Sequence, residues 1–303
     1  MYCVQMEDVT KTFGRTVAVD GLSLAVPPSS IYGFIGPNGS GKTTTLRMIM
    51  NIFYPDRGAI RVLGKPLHGA GNDRVGYLPE ERGLYKRMKV REILRFYGRL
   101  KNGRNINSRV DEWLERFELT DWANKKVEAL SKGMSQKVQF IATVVSQPEL
   151  VLLDEPFAGL DPVNSDVMRE AVLDLQAAGT TVIFSTHDMA VAEKMCDFIF
   201  MIFKGAKVLD GTLEDIQSHY GSDTIRVSTD NGAAALDKLP GIVSVRDFGR
   251  MQELRMAHDC DPQKILAEMM SRTRVRHFEI ARPSLHDIFV RIAGPEATEA
   301  ANA

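Results

Sequence analysis

The stretch IYGFIGPNGSGKTTTLRMIM, residues 31–50, leaves the chain few folds to choose from. Its first five residues read as a short buried strand, and the residues after Lys42 read as a helix. The loop between them satisfies G-x-x-x-x-G-K-[ST] through Gly36, Gly41, Lys42 and Thr43. Each residue type in that pattern has a separate physical task. The glycines let backbone N–H groups converge on phosphate oxygens, the lysine reaches the β/γ-phosphates, and the hydroxyl can ligate Mg²⁺. The helix that follows points its positive end at the same place. A strand, a phosphate cradle and a helix in this order belong to an α/β fold.

Bulk properties agree with a folded enzyme and exclude several classes. The 303 residues are 44% hydrophobic and 25% charged, enough for a large core and two globular units. A formal net charge of −1 gives no dominant electrostatic footprint for nucleic acid, and none is expected as a partner. No apolar run approaches the ~20 residues of a membrane span. The first residues, MYCVQMEDVTKTFG, carry no basic-then-apolar secretory signal, so a cytoplasmic location is expected. Cys3, Cys196 and Cys260 are far apart and form no C-x-x-C pair; they read as reduced thiols.

Along the chain, residues 1 to about 220 alternate strand-like and helical runs, the signature of an α/β unit with a largely parallel sheet. Roughly residues 80–147 read as a helical insert, because KVREILRFYGRL, SRVDEWLERFEL and MSQKVQFIATVVS place apolar residues three and four apart. From about 221 to 293 the order becomes strand, helix, two paired strands, helix, strand. That βαββαβ order predicts a small ferredoxin-like α+β domain. Residues 294–303, GPEATEAANA, read as a loose tail.

The apolar run LVLLDEP ends in Asp154, placed to hold a magnesium shell, and then Glu155, placed to polarise an attacking water. Just upstream, LSKGMSQ (residues 130–136) opens a helix. The Ser131 hydroxyl and Gly133 amide there are suited to a γ-phosphate. No strand brings this segment to its own phosphate loop, which points to a γ-phosphate held on a second molecule.

The ordered set GPNGSGKTT, LSKGM, LVLLDEP, GLD and STHD resembles the nucleotide-binding subunit of an ABC transporter over residues 1–220. The resemblance implies a P-loop ABC cassette with a helical subdomain, ATP and Mg²⁺ as cofactors, and ATP hydrolysis coupled to transport. It implies an ATP-binding loop running through Gly36, Pro37, Asn38, Gly39, Ser40, Gly41, Lys42, Thr43 and Thr44. Asp161 of GLD would bridge two active sites across a dimer, and His187 of STHD would contact the γ-phosphate and hold Glu155 and water. Phe13 would stack on adenine. Glu80 of GYLPE would watch both the metal and a membrane partner. With Lys42, Glu155 and His187 form the implied catalytic set, and Thr43, Glu80 and Asp154 the implied metal set.

The implied assembly is a head-to-tail dimer of cassettes gripping a separate multispanning membrane subunit, peripheral on the inner face of the cell membrane. The segment ending RPSLHDIFVRIAG is similar to an appendage of bacterial drug- and ion-efflux ATPase subunits, which favours export. Two rivals stand beside this reading. One is a soluble ABC ATPase acting on nucleic acid or ribosomes, and the other is an ATP-gated regulatory module.

The sequence departs from the family pattern in three places. Lys132 and Met134 replace a Gly and a Gln of the signature L-S-G-G-Q, and Glu80 stands where the family has Gln. The last departure adds charge near the metal. A basic stretch, Arg82, Lys86, Arg87, Lys89, Arg91, Arg95 and Arg99, follows Glu80 directly. It reads as a solvated face, as a contact with anionic lipid or a membrane partner, or, third, as a nucleic-acid groove.

Overall fold

A computed structural model of the chain describes residues 2–67, 73–81, 83–101, 105–220, 224–236, 238–257 and 260–294. Its contacts divide into two compact units, Met1–Thr212 and Leu213–Ala303.

The first unit is built on a six-stranded sheet whose strands are β3 (Ile31–Ile35), β6 (Val75–Leu78), β7 (Leu150–Asp154), β8 (Thr181–Thr186), β9 (Phe198–Phe203) and β10 (Ala206–Gly211). Their spatial order is β10-β9-β3-β8-β7-β6, all parallel except the β9–β10 hairpin. Parallel strands covered on both faces read as continuous apolar runs, and every residue of β3, β7 and β8 is buried. Alternate residues serve opposite faces. Val151, Leu153, Val182 and Phe184 join one apolar cluster, while Leu150, Leu152 and Ile183 join the other.

The first of those clusters is shared with the helical insert between β6 and β7, formed by α2 (Val90–Leu100), α3 (Ile106–Arg116) and α4 (Lys132–Val144). The second is closed by α1 (Lys42–Ile49) and by a separate antiparallel sheet. That sheet has the order β2-β1-β4-β5, from β1 (Val4–Phe13), β2 (Thr16–Val26), β4 (Arg57–Val62) and β5 (Lys65–Pro66). It is absent from the sequence reading, which anticipated a largely parallel sheet. One face of these strands is in the core, through Val4, Met6, Leu24 and Val26, and the other carries polar side chains. Such alternation marks a half-buried strand without saying to which sheet it belongs. Two more helices complete the unit, α5 (Pro162–Ala177) and α6 (Met189–Met195).

The second unit begins with α7 (Leu213–His219) and continues as β11 (Thr224–Thr229), β12 (Ile242–Asp247), β13 (Gln252–Met256), α8 (Pro262–Arg272), β14 (Val275–Ala281) and α9 (Leu285–Ala293). The sheet order β12-β13-β11-β14, antiparallel throughout, is that of a ferredoxin-like sheet. Its first crossover is shorter than expected: a single 3₁₀ turn, Gly232–Leu236, replaces a helix over 231–239. Gly232 has φ 58°, outside the right-handed helical region. Pro240 then disfavours helix in the residue before it. Ile225, Val227 and Leu254 of the sheet pack against Leu236, Ile265 and Met269 to form a core of the unit's own. The tail, residues 295–303, lies outside the described residues.

Because the second unit has its own core, urea denaturation is expected to show two transitions. Leu254, fully buried, fills that core, and Leu254→Ala should destabilise this unit by about 2–5 kcal/mol. The transition of the first unit should not move. A single transition displaced as a whole would show that the units unfold together.

Candidate nucleotide site

The carboxyl ends of β3, β7 and β8 lie side by side, the place where open α/β sheets gather their ligands. From β3 the chain turns into residues 36–41 and enters α1. Two glycines there are required by space as well as by backbone conformation. Gly36 has φ 154°, and a Cβ on it would lie 2.1 Å from the Ile202 carbonyl oxygen. Gly41 has φ 110°, and a Cβ would lie 2.4 Å from the Ala18 carbonyl oxygen. Gly39, at φ 75°, faces open space.

Lys42 folds back across the loop. Its Nζ donates to the carbonyls of Gly36 (2.7 Å) and Pro37 (3.0 Å) and stands 3.8 Å from Glu155 Oε1. Burial pulls its pKa below the usual lysine range, while the carboxylates of Glu155, Asp154 and Glu80 oppose that shift. The amides of Gly39, Gly41, Lys42, Thr43 and Thr44 have no protein acceptor among the described residues. The Ser40 hydroxyl is buried without a partner. Unpaired donors converging on one hollow at a helix N-terminus suit an anion.

On the neighbouring strand, Asp154 accepts hydrogen bonds at one carboxylate oxygen from Thr43 Oγ1 (3.0 Å) and Ser185 Oγ (2.6 Å). Its other oxygen faces the Tyr77 hydroxyl at 3.5 Å. Ser185 also accepts from the Glu155 amide (3.0 Å), so one hydroxyl orients both acidic residues. Glu155 has a left-handed φ of 48°. Its Oε1 lies 3.1 Å from His187 Nδ1, and the carboxylate is nearly buried whereas the imidazole is half exposed. The arrangement places a carboxylate, an imidazole and an ammonium around one edge of the hollow.

Glu80 follows β6, is exposed, and is close enough for its charge to act on Lys42. Phe13, at the end of β1, is 43% exposed and meets Phe53 edge-on with centroids 5.3 Å apart. Ser131 caps α4 by accepting from the Met134 amide (3.2 Å), and Gly133 lies in the first turn. Asp161 caps α5 by accepting from the Asn164 amide (3.0 Å) and from the Asn164 side chain; these bonds hold its pKa below the usual carboxylate range. Among the described residues, no hydrogen bond or ion pair joins Phe13, Ser131, Gly133 or Asp161 to residues 36–44. The structure therefore gathers the loop with Asp154, Glu155, His187 and Glu80, and none of the other four is bonded to it among the described residues.

Two members of the cluster escaped the sequence reading, although both sit inside motifs it used: Ser185 in STHD and Tyr77 in GYLPE. The basic stretch is less uniform than its sequence, since Arg91 pairs with Asp111, while Arg82 lies outside the described residues. A hollow of about 510 Å³ between α3 and α5, lined by Arg109, Trp113, Val144 and Leu175, is at the amino ends of the strands and shares no residue with the cluster.

A parallel sheet with this loop between β3 and α1 is the fold of a P-loop nucleotide-binding protein. The family description "ABC transporter" matches residues 19–158, and "ATP-binding protein DrrA1-3-like, C-terminal domain" matches residues 211–293. The chain is 42% identical over 291 residues to the uncharacterized ABC transporter ATP-binding protein YhaQ of Bacillus subtilis (strain 168), covering 95% of this chain and 98% of the relative. It is 33% identical over 300 residues to the Nod factor export ATP-binding protein I of Burkholderia lata, covering 97% of each. A solved structure described as the ATP binding subunit of an ABC transporter matches with TM-score 0.69 and 29% identity, over 72% of this chain and 93% of that one. The chain belongs to the family of ABC transporter ATP-binding proteins, which hydrolyse ATP to power transport.

Replacing the loop glycines separates fold from ligand. Gly39→Ala meets no atom and should cost only the left-handed backbone strain, about 1–2 kcal/mol. Gly41→Ala adds a backbone collision and should lower the melting temperature of the nucleotide-free protein markedly further. Equal losses for the two variants would show that the loop does not hold this shape.

Proposed function

We propose that the gathered cluster is the hydrolytic site, with Glu155 as general base, and that the chain acts as one of two cassettes on a separate membrane-spanning subunit. The observation that carries this reading is the placement of Glu155. A nearly buried carboxylate in a left-handed turn, one residue beyond Asp154, faces both Lys42 and His187.

The donor set fits ATP and Mg²⁺. Unpaired amides and the Lys42 ammonium suit a polyphosphate, and the Thr43 hydroxyl beside the Asp154 carboxylate supplies the hard oxygens that Mg²⁺ takes. ATP bound with Mg²⁺ brings the phosphoanhydride to be cleaved and the charge that neutralises its oxygens. Glu155 takes a proton from the attacking water as the water oxygen bonds to the terminal phosphorus and the bridging P–O bond breaks, its electron pair leaving with ADP. His187 keeps the Glu155 carboxylate turned toward the loop. Lys42 exchanges its two loop carbonyls for phosphate oxygens. Phe13, exposed and backed by Phe53, offers adenine a face.

Ser131, Gly133 and Asp161 complete the site on a second copy, in a head-to-tail dimer, and Glu80 faces both the metal and the membrane subunit. Among the described residues no hydrogen bond or ion pair joins them to their own loop, which supports that division. Among the described residues no helix is long and apolar enough to cross a membrane, consistent with a peripheral place on the inner face of the cell membrane. The 33% identity to Nod factor export ATP-binding proteins supports export as the direction.

Glu155→Gln keeps the shape of the side chain and removes the base. It should retain ATP binding, lower turnover by ~10²–10⁴-fold, and migrate as a dimer in size-exclusion chromatography with ATP and Mg²⁺. Lys42→Ala should weaken ATP binding and remain monomeric. Turnover of Glu155→Gln at the wild-type rate would overturn the assignment.

A further inference from the structure

Helix α4, which begins at the Ser131 cap, carries a polar seam that the roles above leave unused. Gln136 and Gln139 are each only 7% exposed, and Thr143 8%. Burying an amide is costly unless it is hydrogen-bonded, and an apolar side chain of similar volume packs without that cost. These residues reach backbone carbonyls. Gln136 Nε2 donates to the Pro156 oxygen at 2.6 Å, and Gln139 Nε2 to the Glu81 oxygen at 3.3 Å. Pro156 directly follows Glu155, and Glu81 directly follows Glu80. The two glutamines, one helical turn apart, thus hold the two loops that carry acidic residues of the site.

The tie at Pro156 matters because the turn it holds is strained. A left-handed φ in a glutamate persists when its surroundings fix it. Three bonds do so: the Glu155 amide to Ser185 Oγ (3.0 Å), the Ala158 amide to the Glu155 oxygen (3.2 Å), and Gln136 to the Pro156 oxygen. The first comes from the sheet and the second from the turn itself. The third comes from the helical insert.

We propose that Gln136 is a positioning residue for hydrolysis, tying the Glu155–Pro156 turn to α4 so that the general base follows the helix that starts at Ser131. This inference rests on Glu155 being the general base. Gln136 touches no reacting atom. It sets where Glu155 points, and through α4 it makes that direction depend on where the Ser131 end of the helix sits.

The test uses the full-length chain. Gln136→Met keeps length and volume and removes the donor. Its kcat should fall about 10- to 100-fold, the scale for a misplaced reacting group, with KM and ATP affinity as in wild type; the melting temperature falls as well, because the buried Pro156 carbonyl loses its donor. Gln136→Glu regains a donor when its carboxyl is protonated, and burial favours that form. Its kcat divided by that of wild type should therefore rise as pH falls. A purely structural role would lower the melting temperature while leaving kcat of the folded Met variant unchanged and that ratio flat. Unchanged kcat in folded Gln136→Met, or a flat ratio for Gln136→Glu, overturns the proposal; where the Met variant does not fold, the ratio decides. Glu155→Gln measured alongside separates the two readings. If it is inactive while Gln136→Met matches wild type, only the role of Gln136 fails. If it hydrolyses ATP at the wild-type rate, the assignment of the base fails first.

Discussion

The register between β3, β8 and β7 is the constraint on which the site depends. Ser185 is paired with Phe34 on one side and with Asp154 on the other, so the three strands end within one residue of one another. The Ser185 hydroxyl can then bond Asp154 and the Glu155 amide together. A slip of one residue in the β8–β7 pairing would turn Ser185 to the opposite face from its present partners and break both bonds. What prevents the slip is the core: Phe184, next to Ser185, is fully buried and meets Phe157 edge-on at 5.6 Å. Packing well inside the sheet thus holds the geometry at its end.

Much of this was legible because the informative signals are local. The bounds of β3 coincide with IYGFI, and the helices of the insert follow their three- and four-residue apolar spacing. The contacts that join elements were not legible. Ser185 is 31 residues from Asp154, and nothing in STHD says which neighbour its hydroxyl meets. Gln136 is similarly silent, since a glutamine in a helix reads as a solvent-facing residue until the fold buries it. The antiparallel sheet was missed for another reason. Alternation in β1 and β2 reports one dry face, whereas membership of a sheet is decided by distant partners such as Ile60 and Val62.

The two units differ in how they use their polar residues. In the second, ion pairs such as Arg226 with Glu253 and Arg246 with Asp287 join neighbouring elements at partly exposed positions, where such pairs contribute little. In the first, the polar groups that matter are buried at the strand ends and along α4. There each unmade bond is expensive, so each made bond fixes a conformation.

Charge gives the site its last constraint. Among the described residues Lys42 is the one ammonium bonded into the loop, and the carboxylates of Glu155, Asp154 and Glu80 all act on it. Three anions around one buried cation would repel a polyphosphate if charge alone decided binding. The unpaired amides at the start of α1 offset part of this, because they are aimed donors with a positive helix end behind them. They do not balance three carboxylates. On the proposed reading a divalent cation near Asp154 and Thr43 closes the gap, and Glu80, a carboxylate where the resembling family carries a neutral amide, makes the gap wider in this chain. On the same reading, nucleotide and metal are more tightly interdependent here than they would be with glutamine at position 80.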